Sequence, residues 1–180
     1  MARRGLTGIL LVGGASSRFG SPKALARLEG ETLAERGWRL LGEVSEERLA
    51  VGKVGDGLAL PFPVLDDGSE VRAAIAGVVA GLKAATHRVA VVLPVDTPLV
   101  TPELLLRLAE ACEEADAAVT QTGPLPGAYS KAALPALERS LAAGELSLRG
   151  ALAGLAPAIV DEDPVLLVNI NTPNDLRSLG

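Results

Sequence analysis

Cysteine, histidine and aromatic side chains are nearly missing from this chain. Its 180 residues include one cysteine, one histidine, one tryptophan, one tyrosine and two phenylalanines. A lone Cys112 forms no disulfide within the chain and supplies no CxxC metal spacing. Set in a helical pattern, it reads as a structural thiol rather than a nucleophile. With His87 as the only imidazole, neither a Ser-His-Asp triad nor a histidine metal cage can be assembled. His87 falls between a helical segment and an apolar run and reads as a surface position near a helix end. Aromatics at 2 % leave no stacking platform for single-stranded nucleic acid and hand the core to Leu, Val, Ile and Ala. A net charge of -5 without a basic stripe argues against nucleic acid or a membrane surface as partner. No apolar run approaches the roughly 20 residues of a membrane span. "MARRG" lacks the apolar stretch of a secretory signal, so the expected location is cytoplasmic.

What remains is an ordinary globular composition, 48 % hydrophobic and 22 % charged, of a length that suits one domain over residues 1–180. Short apolar runs predict strands at 6–12, 48–51, 63–65, 89–93, 117–120, 158–160 and 166–170. Helical patterns fall between them at 32–41, 70–85, 101–115, 131–142 and 147–155, with Val71, Ile75, Val78 and Leu82 along one helix face. Thr32 with Glu35 makes a capping box, and Thr101 before Pro102 a second helix start. Strands that are apolar throughout, rather than in alternation, are buried on both faces. The expected fold is therefore α/β, a mostly parallel sheet with helices on both sides in three layers. In such sheets ligands bind beyond the carboxyl ends of the strands, and polar segments with distinctive chemistry stand there.

The first is GILLVGGASSRFGSPKAL, residues 8–25. Gly13, Gly14 and Gly20 allow tight turns and expose N–H groups, which together can cradle an anion. Arg18 presents a planar fork to phosphate oxygens and Lys23 a mobile charge. The loop fits neither G-x-x-x-x-G-K-[ST] nor G-x-G-x-x-G, which disfavours a P-loop ATPase and an ordinary dinucleotide binder; a solvated glycine-rich turn is the plain alternative. The second is VVLPVDTPLV, where Asp96 follows a buried strand between Pro94 and Pro98. It suits Mg²⁺, which takes one or two carboxylates and completes its shell with phosphate and water; it equally suits a turn cap. The third is LLVNINTPNDL, where Asn169 and Asn171 share a face of an expected strand while Thr172, Pro173 and Asp175 start a helix. Asp66 and Asp67 end another apolar run at the same edge, in a context common for turns.

Taken together, LLVGGASSRFG with Lys23, PVDTP at 94–98 and NINTPNDL at 169–176 resemble the molybdenum cofactor guanylyltransferase family, the MobA-like nucleotidyltransferases. IAGVVAGL at 75–82 and GAYSKAALPAL at 127–137 match more weakly, and the order of the pieces is the family's. The resemblance implies a Rossmann-like, nucleotide-diphospho-sugar transferase-like fold that uses GTP, Mg²⁺ and a molybdopterin-type cofactor. It implies that Leu11, Val12, Gly13 and Gly14 meet the nucleotide, that Arg18 and Lys23 embrace the triphosphate, and that Asp96 ligates the metal. Asp66 or Asp67 then faces the guanosine, and Asn169 and Asn171 the second substrate. Gly52 also falls at the nucleotide edge, where related sequences often carry Asn, and Ala73-Ala74-Ile75 replaces their Gly-Pro-Leu.

A phosphate monoester is already an anionic nucleophile, so nucleotidyl transfer needs positioning and charge neutralisation more than a reactive side chain. That accounts for a site without histidine or cysteine. The expected reaction is attack of the terminal phosphate of molybdopterin on GTP, with Arg18, Lys23 and Asp96 as the catalytic group. Alternatives are a CTP-dependent or sugar- or alcohol-phosphate transferase of the same fold, or a non-catalytic cofactor-binding adaptor. Transient contacts with cofactor-biosynthesis or acceptor enzymes are compatible with either.

Overall fold

The computed structural model describes residues 3–14 and 18–180. Strand β1 (Arg3–Leu11) lies in the middle of the protein because both its faces are apolar. Leu6 and Leu10 pack into one hydrophobic cluster, and Ile9 and Leu11 into another on the opposite face. Its neighbours are β4 (Ser45–Gly52) and β6 (Val89–Pro94), both parallel to it. Strand β5 (Val64–Asp66) extends one side of the sheet, and β7 (Ala117–Thr120), β8 (Gly123–Ser130) and β9 (Ala158–Val160) the other. The order is β5-β4-β1-β6-β8-β7-β9, and only β8 runs antiparallel to its neighbours. A small separate hairpin joins β2 (Arg27–Leu28) to β3 (Glu31–Thr32).

Helices cover both faces, as the burial of the strands requires. On one side α1 (Leu33–Val44) and α3 (Pro102–Ala111) bring Leu33, Leu41, Leu104, Leu105 and Leu108 against Leu6, Leu10, Val91 and Leu93. On the other, α2 (Ala74–Ala84), α4 (Leu134–Ala142) and α5 (Leu148–Leu152) cover Ile9, Leu11, Val92 and the buried Tyr129. The last helix, α6 (Pro173–Arg177), starts at a Thr172–Asp175 capping box. Helix α1 starts at the expected box: Glu35 N–H donates to Thr32 Oγ1 at 3.1 Å, and Thr32 N–H to Glu35 Oε2 at 2.9 Å. Thr32→Ala is expected to cost about 1 kcal/mol of stability in a denaturant titration, the usual worth of an N-cap.

Two expectations need correction, and one strand was not foreseen. Residues 166–170 form no strand: Asp163 caps a single 3-10 turn, Pro164–Leu167, and Val165 and Val168 are exposed. Conversely β8 is a strand although its sequence, GPLPGAYS, is rich in turn residues. Its prolines precede the ladder to β6, which begins at Gly127 opposite Val92. Helix α2 starts at Ala74 instead of residue 70, because Ser69 holds the N–H of Val71 and Arg72 is drawn aside to Asp56. Val71 is exposed in consequence. Cys112 is fully buried and its thiol is pushed up to about 12 by burial, which suits a structural role. His87 Nδ1 lies 3.0 Å from Thr7 Oγ1, near Glu46 and Glu47 at the start of β4.

Candidate active site

The strands around β1 end nearly level. Leu11 pairs with Val51 and Pro94, and Gly52 with Asp66. Because the chain passes from β1 to β4 on one side and later places β6 on the other, the topology switches at β1, where α/β sheets open a ligand crevice. A cavity of about 490 Å³ lies there, lined among others by Leu11, Gly13, Gly14, Gly52, Asp67, Asp96 and Asn169.

Glycine has a different reason at each position of this edge. A Cβ on Gly52 would meet Val12 Cγ2 at 3.0 Å and the Gly13 nitrogen at 3.2 Å, so Gly13 and Gly52 mark a close approach of two chain segments. Gly13 and Gly14 do not use positive φ, contrary to expectation; among the described residues of this loop only Gly20 does, at +75°. A Cβ on Gly14 would meet nothing within 4 Å, which leaves bare backbone facing the crevice. Val12 is buried and its N–H is donated to Val51 O at 3.0 Å, so that N–H is not available to a ligand. Ala15, Ser16 and Ser17 of the same loop lie outside the described residues. Arg18 is exposed and does not line the cavity.

Three segments distant in sequence meet at Lys23. Its ammonium lies 3.4 Å from Asp96 Oδ2 and 3.2 Å from Asn171 Oδ1. Asp96 is held by its main chain as well. Val95 N–H donates to Leu11 O at 3.2 Å, and Ile170 N–H to Asp96 O at 2.7 Å. The carboxylate is 27 % exposed, so it stands stiffly at the strand end yet remains reachable. Asn169 and Asn171 lie on either side of the buried Ile170 and are both exposed, but in an irregular segment instead of the expected strand. Asn169 lines the cavity, whereas Asn171 is turned to Lys23. Asp175 accepts from the N–H groups of Asn171 and Thr172, each at 2.8 Å; these bonds, that from Asn171 foremost, hold its carboxyl below the usual range.

The two neighbouring acids separate clearly. Asp66 accepts from Gly68 N–H at 2.8 Å and Val54 N–H at 2.9 Å; these bonds lower its pKa and spend its oxygens on the turn. It lines a different depression, together with Asp67. Asp67 also faces the main cavity, where Oδ1 accepts from Lys53 Nζ at 2.6 Å and from Ser69 N–H at 2.9 Å. Lys53 was not singled out by sequence, although its place one residue beyond β4 was a usable signal. Arg72, which pairs with Asp56, and Arg149, which reaches the far wall, were likewise missed. Both come from segments that read as plain helix.

Among the described residues no Cys, His or Ser lines the cavity, so what this lining offers a ligand is binding and charge. A crevice of this kind at the switch point of a parallel sheet is where α/β proteins bind nucleotides and related ligands. Residues 8–164 match the MobA-like NTP transferase domain, and the chain belongs to that family. It is 35 % identical to a probable molybdenum cofactor guanylyltransferase of Chloroflexus aggregans, over 96 % of this chain and 92 % of the relative. It is also 35 % identical to a molybdenum cofactor guanylyltransferase of Pseudomonas putida, over 94 % of each. Among solved structures, the molybdopterin-guanine dinucleotide biosynthesis protein A of Archaeoglobus fulgidus superposes with a TM-score of 0.83 at 26 % identity, covering 96 % of both chains.

Proposed function

We propose that the protein transfers GMP from GTP to the terminal phosphate of molybdopterin-bound molybdenum cofactor, releasing pyrophosphate. The observation that carries this reading is the meeting of Lys23, Asp96 and the bare backbone of Gly13 and Gly14 around one crevice. The names of the relatives supply the base and the acceptor. An oxygen of the acceptor phosphate forms a bond to the α-phosphorus of GTP, and the bond from that phosphorus to the bridging oxygen of pyrophosphate breaks. Lys23, with Arg18 from the same loop, offsets the charge of the departing pyrophosphate. Leu11, Gly13, Gly14 and Gly52 form the nucleotide edge. Asp67, rather than Asp66, is oriented to meet the nucleoside, and Asn169 the second substrate.

Magnesium belongs to the proposal as well. Among the described residues no group of three or more His, Cys, Asp or Glu side chains is arranged to hold a metal alone. One reachable carboxylate fits Mg²⁺ nonetheless, since that ion takes one or two carboxylates and fills its shell with phosphate oxygens and water. Asp96 already sits beside a cation, the Lys23 ammonium. Asp96 would hold the metal, and the ion would supply neutralisation of the phosphate charge.

A cytoplasmic setting is part of this reading, as are transient contacts with the enzymes that deliver or receive the cofactor. No helix among the described residues is long and apolar enough to cross a membrane. The test is pyrophosphate release from GTP or CTP in the presence of molybdopterin and Mg²⁺. GTP should support it, and raise the melting temperature, at concentrations where CTP does neither. Equal or better use of CTP would make this a cytidylyltransferase of the same fold, and binding without any release a non-catalytic relative.

A further inference from the structure

The charged groups on the cavity wall are matched with one exception. Lys53 pairs with Asp67, Arg72 with Asp56, and Asp96 with Lys23. Arg149 lines the same cavity from α5 and has no carboxylate within ion-pair distance among the described residues. Its guanidinium is nevertheless held in place: Nη2 donates to the carbonyl of Thr122 at 3.0 Å. The neighbouring position is Gly123, where a Cβ would stand 3.4 Å from the same nitrogen, so the wall leaves the arginine head room. One bond to a carbonyl spends only part of the donor capacity of a guanidinium and none of its charge.

We propose that Arg149 is the anchor for the phosphate monoester of the acceptor substrate. The surroundings fit a phosphorylated heterocycle. Leu125 and Leu167 supply apolar wall beside Arg149, and Asn169 an amide that both donates and accepts. Lys23 lines an adjoining pocket with Asp96, Gly13 and Gly14 at the ends of β1 and β6, while Lys53 and Arg72 on the cavity wall are spent on Asp67 and Asp56. Lys23 and Arg149 thus offer two separate cationic positions, one for the nucleotide phosphates and one for a second anion. A planar fork suits that task, because it grips two phosphate oxygens together and sets the direction of the group as well as its place. The inference rests on the reading of the cavity as a site for two phosphorylated substrates.

Equilibrium binding of molybdopterin and, separately, of GTP to the wild-type protein, Arg149→Ala and Arg149→Lys tests it. Arg149→Ala should weaken molybdopterin about 10-fold or more, the scale of a lost charge-assisted hydrogen bond. Its GTP affinity should stay within about twofold, which also reports an intact fold. Arg149→Lys should recover part of the loss, as a point charge without the fork. Unchanged molybdopterin binding in Arg149→Ala, equal weakening of both ligands, or no molybdopterin binding by the wild-type protein would overturn the assignment. A wild-type protein that binds molybdopterin through Arg149 yet releases no pyrophosphate from GTP removes the proposed reaction and leaves the anchor standing.

Discussion

Asp96→Ala is expected to lower turnover of GTP by about 100-fold or more at saturating nucleotide and magnesium, the scale of removing one preorganised charge-stabilising group. The loss should be functional and not a matter of folding. What fixes residue 96 is its carbonyl, which accepts from Ile170 N–H at 2.7 Å, and that bond survives any change of side chain. Among the described residues the side chain forms one ion pair, to Lys23 at 3.4 Å, with both partners partly solvated. Such a pair contributes at most about 1 kcal/mol to stability. The variant should therefore melt close to the wild type while its dependence on magnesium concentration weakens. Asp96→Asn keeps the shape and loses the charge, so it should resemble Asp96→Ala; near-normal turnover in either would contradict the role assigned to the carboxylate.

Lys23→Ala is expected to cost a similar factor, again about 100-fold, for a different reason. Its ammonium sits between Asp96 and Asn171, so one substitution removes both the proposed counter-charge for pyrophosphate and the tie between two segments of the site. Lys23→Arg keeps the charge on a longer, planar head and should restore activity only in part. If Lys23 and Asp96 serve the same phosphates, as proposed, the double variant should lose much less than the product of the single losses. Steady-state kinetics on the four proteins of this cycle provides the check. Strictly multiplicative losses would mean that the two residues act at separate places.

Much of this architecture is written in runs of apolar residues. The runs at 117–120 and 158–160 coincide with β7 and β9, and the start of α1 is announced by Thr32 and Glu35. Asp96 is legible too, since a polar residue directly beyond a buried strand must lie along one edge of a parallel sheet. Lys23 is legible from the glycine-rich loop that leaves β1 at that edge. Periodicity reports burial, however, and says little about pairing. Residues 166–170 are apolar enough for a strand, yet the turn capped by Asp163 takes them out of the sheet. The reverse holds for β8, whose Gly-Pro opening hides four residues that pair fully with β6.

The site shows the same division. Asp66 and Asp67 cannot be told apart by spacing, because what separates them is which backbone N–H groups the turn points at each carboxylate. Asn171 reads as a substrate ligand from its motif, and only the folded chain turns its amide oxygen toward Lys23. Arg149 has no local signal at all. It reaches the cavity from the short helix α5 and meets a loop 27 positions earlier in the chain.

The central claim is that a metal-bound nucleotide triphosphate lies between the glycine-rich turn and Asp96. Crystals grown with GTP and Mn²⁺, used as an anomalously scattering stand-in for magnesium, test it most directly. The account predicts anomalous density bonded to the Asp96 carboxylate, with Lys23 released from Asp96 onto the phosphates and the Gly13–Gly14 backbone against them. Manganese bound away from Asp96, or a triphosphate outside the crevice at the end of β1, would contradict it.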